Sequence, residues 1–304
     1  MVEKSFLAQR YARLRLDQIH VVGYSVAGEE SVVQIPELDV CFDIGRCPYF
    51  ALTSNYVCLT HGHMDHVAGI AYYCSQRSFQ GMKPGTILVP REIAGAVDNM
   101  LRAWREVERQ PTPYRVVAVE PGGDFVVRKD FLIRPLATHH GGLSLGYSLI
   151  SVRNKLKPEY AGLTAPELIA LRNSGVPITY RVEVPLATYL GDTTAGPVYE
   201  HPDVVNAEVL ITECTFFEEE HRQRAKVGKH LHVDDLAEII PRLKNKYIVL
   251  THVSRRTSLR RARRHLRKRV GDEHMARVHF LMDFEGAANA GDVELPVPPA
   301  DAAD

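Results

Sequence analysis

The chain has 304 residues, 45% hydrophobic and 24% charged, and its 37 Lys and Arg balance its 37 Asp and Glu. Such a chain can bury a full core, and zero net charge excludes a global basic field, so any nucleic-acid surface has to be local. The five cysteines (Cys41, Cys47, Cys58, Cys74, Cys214) are odd in number and form no CxxC pair, which excludes a disulfide framework and points to reduced thiols in a cytoplasm.

The N-terminal MVEKSFLAQRYARLRLDQI mixes charges throughout. It lacks the apolar region of a secretory signal, and no apolar run reaches the roughly 20 residues of a membrane span. Short strands follow in HVVGYSV, SVVQI, LDVCFDI and YVCLT, alternating or continuously apolar between turn residues. HGHMDH comes next, then a helix through VAGIAYYCSQRS, the strand GTILVP and the amphipathic helix REIAGAVDNMLRAWREVER. Strands resume in YRVVAV, FVVRKDFLIRPLAT and LGYSLISV. A more polar segment runs from about Arg153 to Val184 and holds a helix whose cap is Thr164, with Glu167 three residues on. The second half continues with PLATYLGDT, AEVLITECTF, the helix VDDLAEIIPRLKN, the strand YIVLTHV, a basic helix SLRRARRHLRKRV and the strand ARVHFLMDF. Two strand-rich halves, each ending in helices, predict an α/β sandwich: two packed mixed sheets with outer helices. Residues 1–290 read as one domain, and the Pro- and Asp-rich tail at 291–304 is expected to be disordered.

The densest chemistry lies in His61-Gly62-His63-Met64-Asp65-His66. A strand delivers the chain to a tight loop where His61 and His63 can converge on one ion. Asp65 and His66 begin the next helix and point to a neighbouring one. Imidazole and carboxylate at this spacing suit Zn²⁺, or Mn²⁺. Four more candidates sit at element ends: His139-His140 after RPLAT, Asp192 after ATYLG, His252 after YIVLT, and His232 before VDDLAEII. Donors on loops held by a rigid sheet make a preorganised metal site.

From about residue 20 to 285 the chain resembles the short form of tRNase Z, the tRNA 3′-processing endonuclease of the metallo-β-lactamase superfamily. The motifs stand in that family's order: FDIG at Phe42–Gly45, HGHMDH, H-x5-GY at His140–Tyr147, GDT at Gly191–Thr193, TECTF at Thr212–Phe216, HLH at His230–His232 and LTHVS at Leu250–Ser254. The resemblance implies the αββα sandwich of that superfamily. It implies two Zn²⁺ (Mn²⁺ as the alternative), with His61, His63 and His140 on the first, Asp65, His66 and His252 on the second, and Asp192 bridging. His140 is chosen over His139 by its spacing to Gly146-Tyr147. Asp43 resembles the buried carboxylate that supports the ligand loop.

Two ions roughly 3.5–4 Å apart would activate a water and stabilise charge on a phosphoryl oxygen, with Asp65 taking or orienting a proton. His232 is the expected acid for the ribose 3′-oxygen, with Glu213 orienting it. The implied substrate is precursor tRNA, cut to a tRNA 3′-hydroxyl and a 5′-phosphorylated trailer, by a homodimer in which one subunit's clamp serves the other's site. Arg255, Arg256, Arg260 and Arg264, on an amphipathic helix directly after His252, are expected to contact RNA phosphates. The clamp segment, about 152–184, is short and resembles the reduced form of short plant-type members. After LTHVS the chain reads Arg255-Arg256-Thr257, where the family has an Ala-Arg-Tyr pattern. His201 and His221 read as surface residues. The alternative activity is a phosphodiesterase or esterase of the same fold acting on a small molecule such as a cyclic nucleotide. A catalytically dead RNA-binding subunit would require lost ligands, and every ligand position is filled.

Overall fold

The computed structural model describes residues 11–283; the tail expected to be disordered lies outside the described residues. The first half of the chain makes one seven-stranded sheet, in the order β1 (Ala12–Leu16), β2 (Ile19–Val26), β3 (Glu30–Ile35), β4 (Val40–Phe42), β5 (Tyr56–Cys58), β6 (Thr86–Pro90) and β7 (Arg115–Val119). The second half makes another, built from β8 (Phe125–Arg128), β9 (Phe131–His139), β10 (Leu143–Leu156), β11 (Thr179–Tyr189), β12 (Val209–Glu213), β13 (Tyr247–Thr251) and β14 (Val278–Phe280), again with sequential neighbours. Each sheet begins with antiparallel hairpins and ends with parallel strands.

Parallel pairing demands a crossover, and the helices supply it. They are α1 (Tyr49–Leu52), α2 (Met64–Val67), α3 (Ile70–Phe79), α4 (Arg91–Glu108), α5 (Ala165–Asn173), α6 (Pro202–Asn206), α7 (Arg222–Gly228), α8 (Val233–Ile239) and α9 (Leu259–Met275). The helix expected after HGHMDH is divided: Ala68 closes α2 and Gly69 starts α3, where a Cβ would lie 2.6–2.8 Å from the backbone of Ile44 to Cys47.

The two sheets meet over one apolar layer that includes Val33, Ile35, Phe42, Phe131, Tyr147, Leu149, Tyr189 and Ile211. Phe42 and Tyr189 stack across it with ring centroids 4.7 Å apart. Separate clusters bury the helices on each outer face. The continuous burial of β4, β6 and β12 explains why their sequences run largely apolar rather than alternate.

The polar stretch at 153–184 is more ordered than its composition predicts. β10 and β11 continue their pairing as a ribbon out to Leu156↔Thr179, and α5 sits at the tip behind the expected capping box of Thr164 and Glu167. Nothing among the described residues covers the ribbon's faces, so its residues are mostly exposed and carry no core pattern. At its base Arg134 of β9 binds Asp124, Glu183 and Asp203.

Candidate metal centre

In both sheets the expected site residues gather at one edge. Asp43 follows β4, His61 follows β5, His140 sits in the β9–β10 turn, Asp192 follows β11, Glu213 ends β12 and His252 follows β13. Strand ends of packed sheets give loops a fixed frame there. The loops pack tightly. A Cβ on Gly191 would lie 2.7 Å from Thr60 Cγ2, and its φ of 59° also favours glycine. A Cβ on Gly45 would lie 1.9 Å from the carbonyl oxygen of Asp65. Asp43 and His252 adopt left-handed φ values of 54° and 57°. That conformation is costly for residues with a side chain, and the Ser25 hydroxyl, accepting from the His252 N–H at 3.0 Å, helps hold it.

The expected donors fall into two sets: His61, His63, His140 and Asp192 converge, as do Asp65, His66 and His252, and a third, overlapping group joins His230 to Asp192 and His252. His61 Nε2 and His63 Nδ1 are 3.0 Å apart, and His140 Nε2 is 3.3 Å from the same His63 atom. Ligands about 2.1 Å from a tetrahedral ion lie about 3.4 Å from one another. Asp192 Oδ2 lies between the sets, 3.4 Å from Nε2 of both His66 and His252, 3.8 Å from His140 Nε2 and 3.9 Å from His61 Nε2. Nε2 of His66 and of His252 is buried with no hydrogen-bond partner. Unpartnered buried nitrogens carry a penalty, which a cation would relieve. The residues present therefore fit a metal group.

The outer contacts fix which nitrogen faces inward. Asp43 accepts from His66 Nδ1 at 2.8 Å, from the Thr60 N–H at 2.8 Å, from the Thr60 hydroxyl and from the Tyr189 hydroxyl at 3.1 Å. Thr60 Oγ1 in turn meets His61 Nδ1 at 2.9 Å. A matching relay stands on the other sheet. Glu213 accepts from the Thr215 hydroxyl at 2.6 Å, and that hydroxyl meets His252 Nδ1 at 3.0 Å. His140 Nδ1 donates to the Lys229 carbonyl at 2.9 Å. Each relay occupies Nδ1 and leaves Nε2 for the centre. Thr60, Thr215 and Tyr189 escaped sequence reasoning, although Thr60 directly precedes a donor histidine.

Burial and the neighbouring His66 push the His61 pKa down to about 2, so its imidazole stays neutral. Burial opposes ionisation of Asp65, but the contact to His252 and the charge of His66 hold it below the usual carboxylate range. Burial also works against charge on His66. The carboxylates of Asp192 and Asp43 nevertheless raise its pKa, so the local field favours a positive charge at that point.

One expectation is corrected. His232, expected as the acid held by Glu213, faces away from the donors. It is 1% exposed and caps α8, its Nδ1 accepting from the Asp234 N–H at 3.3 Å and its Nε2 donating to the Glu218 carbonyl at 3.0 Å. The imidazole on Glu213 is that of His230, whose Nδ1 lies 2.9 Å from Glu213 Oε1 and 4.0 Å from Asp192 Oδ2. Burial disfavours its charged form, yet the Glu213 carboxylate raises its pKa. Glu213 is fully buried and also accepts from the backbone of Thr193 and Leu231. His139 is exposed at the end of β9, and His201 caps α6. His221 is only partly exposed, with its ring 5.7 Å from that of Phe216.

The basic segment after His252 also divides. Arg255 is bound by Glu29, its Nη2 2.8 Å from Oε2, whereas Arg256, Arg260 and Arg264 are exposed. All five cysteines are free, and all but Cys47 are buried. No helix among the described residues is long and apolar enough to cross a membrane.

A family model for the beta-lactamase superfamily domain matches residues 53–253. The tRNase Z TRZ1 of Arabidopsis thaliana is 32% identical over 250 residues, covering 81% of this chain and 89% of that protein. The chloroplastic tRNase Z TRZ2 of the same plant is 34% identical over 246 residues, covering 80% and 70%. Among solved structures, the metallo-beta-lactamase fold protein YhfI from Bacillus subtilis superposes with a TM-score of 0.59 at 16% identity, covering 86% of this chain and 94% of the other. Human tRNase Z, short form, gives 0.55 at 16% identity, covering 86% and 95%.

Proposed function

This chain belongs to the beta-lactamase superfamily and, within it, to the tRNase Z family, and from that premise we propose that it is a metal-dependent endoribonuclease that removes the 3′ trailer of precursor tRNA. The observation that carries the reading is the buried Glu213–His230 pair set against the two donor sets. Such a pair suits a reaction whose leaving group needs a proton.

His61, His63 and His140 would hold one ion, Asp65, His66 and His252 the other, with Asp192 between them. Zinc suits these donors, and manganese is the alternative. Bound there, the ions supply water activation at neutral pH and stabilise charge on the phosphoryl oxygens. The remaining work falls to the chain. Asp65 accepts or orients a proton of the attacking water. Glu213 holds His230 by Nδ1, leaving Nε2 to carry the proton that goes to the departing ribose 3′-oxygen. The raised pKa of His230 supports that protonated state. The products are a tRNA 3′-hydroxyl and a 5′-phosphorylated trailer.

The ribbon bears on assembly. β11 runs from Thr179 at the ribbon to Tyr189 beside the metal donors, about 30 Å at 3.3 Å per residue. The ribbon therefore leaves the sheet at the edge opposite its own site. This supports a homodimer in which each ribbon clamps RNA bound at the partner's site. The five free thiols support a cytoplasmic setting.

The test is cleavage of a precursor tRNA carrying a 3′ trailer, with end-group analysis, beside the His63→Ala and His230→Ala variants. One cut after the discriminator base, lost in both variants, is the expected result. No cut on tRNA, with metal-dependent hydrolysis of a small phosphodiester, would move the assignment to a small-molecule phosphodiesterase.

A further inference from the structure

Between residues 255 and 269 the chain places nine Lys or Arg side chains, and the structure sorts them. Five are matched to carboxylates: Arg255 to Glu29, Arg261 to Glu218, Arg263 to Asp283, Arg267 to Asp272 and Arg269 to Asp234. The other four, Arg256, Arg260, Arg264 and Lys268, are exposed and have no carboxylate partner among the described residues. They recur every four residues. On α9 a four-residue step turns the face by about 40° and advances about 6 Å. Ala262, Leu266 and Val270 are buried on the opposite side, so Arg260, Arg264 and Lys268 form the outermost line of the helix.

The placement of this line follows from topology. β13 and β14 are parallel neighbours, so α9 must start at the metal-donor edge and return along the outside of the sheet. Its cap, Ser258, lies six residues after His252. The unmatched charges therefore begin beside the donors and lead away from them. In a chain of zero net charge, five pairings and four adjacent omissions concentrate positive charge along one line.

We infer that Arg256, Arg260, Arg264 and Lys268 form a track for the phosphate backbone of the substrate RNA where it leaves the metal centre. This rests on the endoribonuclease reading above. Arg255 is not part of the track, because Glu29 and the Tyr24 hydroxyl already engage it. The contact is with backbone and carries no sequence preference. It tethers the strand so that the scissile phosphate is presented to the donors.

The experiment is equilibrium binding of a precursor tRNA, with a phosphorothioate at the scissile linkage to slow the cut, as a function of KCl. It compares the full chain with its R256Q/R260Q/R264Q/K268Q variant. A control, R91Q/R102Q/R109Q/R115Q, removes equal charge from exposed positions around the first sheet. Each phosphate contact contributes about 0.7 to the salt slope for a single strand, so four contacts give a slope smaller by ~2.8. Between 50 and 200 mM KCl the track variant should then lose about 50-fold less affinity than the wild type. The control should keep the wild-type slope. Metal content and thermal midpoint, unchanged in the track variant, show that the fold is intact. Equal slopes in track variant and wild type overturn the inference, whether the line is merely solvated or held by another part of the chain. Cleavage is scored in parallel on the unmodified RNA: a wild type that cuts at the trailer with no slope difference loses only the track, whereas a slope difference without trailer cleavage keeps the track and removes the tRNA-processing reading.

Discussion

Replacing His230 and His232 separately by alanine should split catalysis from stability. His232 is 1% exposed, caps α8 and donates to the Glu218 carbonyl. Removing it loses a cap worth about 1 kcal/mol and strands a buried acceptor at about 1–3 kcal/mol. The expected cost of about 2–4 kcal/mol lowers the thermal midpoint by about 3–6 °C, while RNA cleavage measured well below that midpoint falls little. His230 contributes no cap, and its Nδ1 is satisfied by Glu213 alone. His230→Ala should leave the midpoint within a few degrees and reduce single-turnover cleavage of precursor tRNA by about 10²–10⁴, the usual contribution of a positioned acid, or roughly 3–5 kcal/mol of barrier. A bis(p-nitrophenyl) phosphate substrate, whose leaving group departs without a proton, should be far less affected by the same change. The assays are differential scanning fluorimetry and saturating-enzyme kinetics on both substrates. A His232→Ala protein with the wild-type midpoint and a hundredfold loss of RNA cleavage, or a His230→Ala protein that cleaves RNA normally, would refute the reassignment.

Three further outcomes are expected. Thr215→Val keeps the shape but breaks the Glu213–Thr215–His252 relay; metal affinity in chelator competition should fall by about 10–100-fold, and an unchanged affinity would show that the relay does not orient His252. Gly45→Ala would drive a Cβ into the Asp65 carbonyl, so metal stoichiometry should drop together with thermal stability; a fully loaded, stable variant would contradict the packing described. Burial, helped by Arg263, depresses the pKa of His279, so the folded state binds its proton less readily than the unfolded chain. That contribution to stability is present above about pH 6.5 and is lost as pH falls through the depressed value. His279→Phe should therefore give a shallower acid limb in denaturant titrations between pH 6.5 and 5, and parallel limbs would argue against it.

The residues that gather in the candidate centre were legible because HGHMDH, GDT and LTHV each follow an apolar run, and a strand that ends in a polar cluster predicts a loop at a sheet edge. What escaped was decided by contacts between distant segments. β1 was hidden although Ala12, Leu14 and Leu16 of ARLRL all face the core, because the arginines between them extend the charged N-terminal stretch and mask the alternation. The ribbon at 152–184 pairs with itself away from any core, so it lacks an apolar face to read. His230 and His232 stand two apart in an extended stretch, and alternation alone puts both on one side. The chain turns into α8 at His232, which commits that ring to capping, with Asp235 completing the capping box. The acidic run after His232 is the local signal for that cap.

The halves of the chain are strictly divided: β7 ends at Val119, β8 begins at Phe125, and among the described residues no strand crosses between sheets. His61, His63, Asp65 and His66 belong to the first half, and His140, Asp192 and His252 to the second. The His61/His63/His140/Asp192 set and the Asp65/His66/His252 set therefore each draw on both halves, so ions held by these two sets would act as rivets through the seam, their binding free energy becoming cohesion between the halves. A chain opened in the turn at 120–124 would behave as two fragments whose reunion depends on metal concentration, with the ion both the reporter of assembly and part of its driving force.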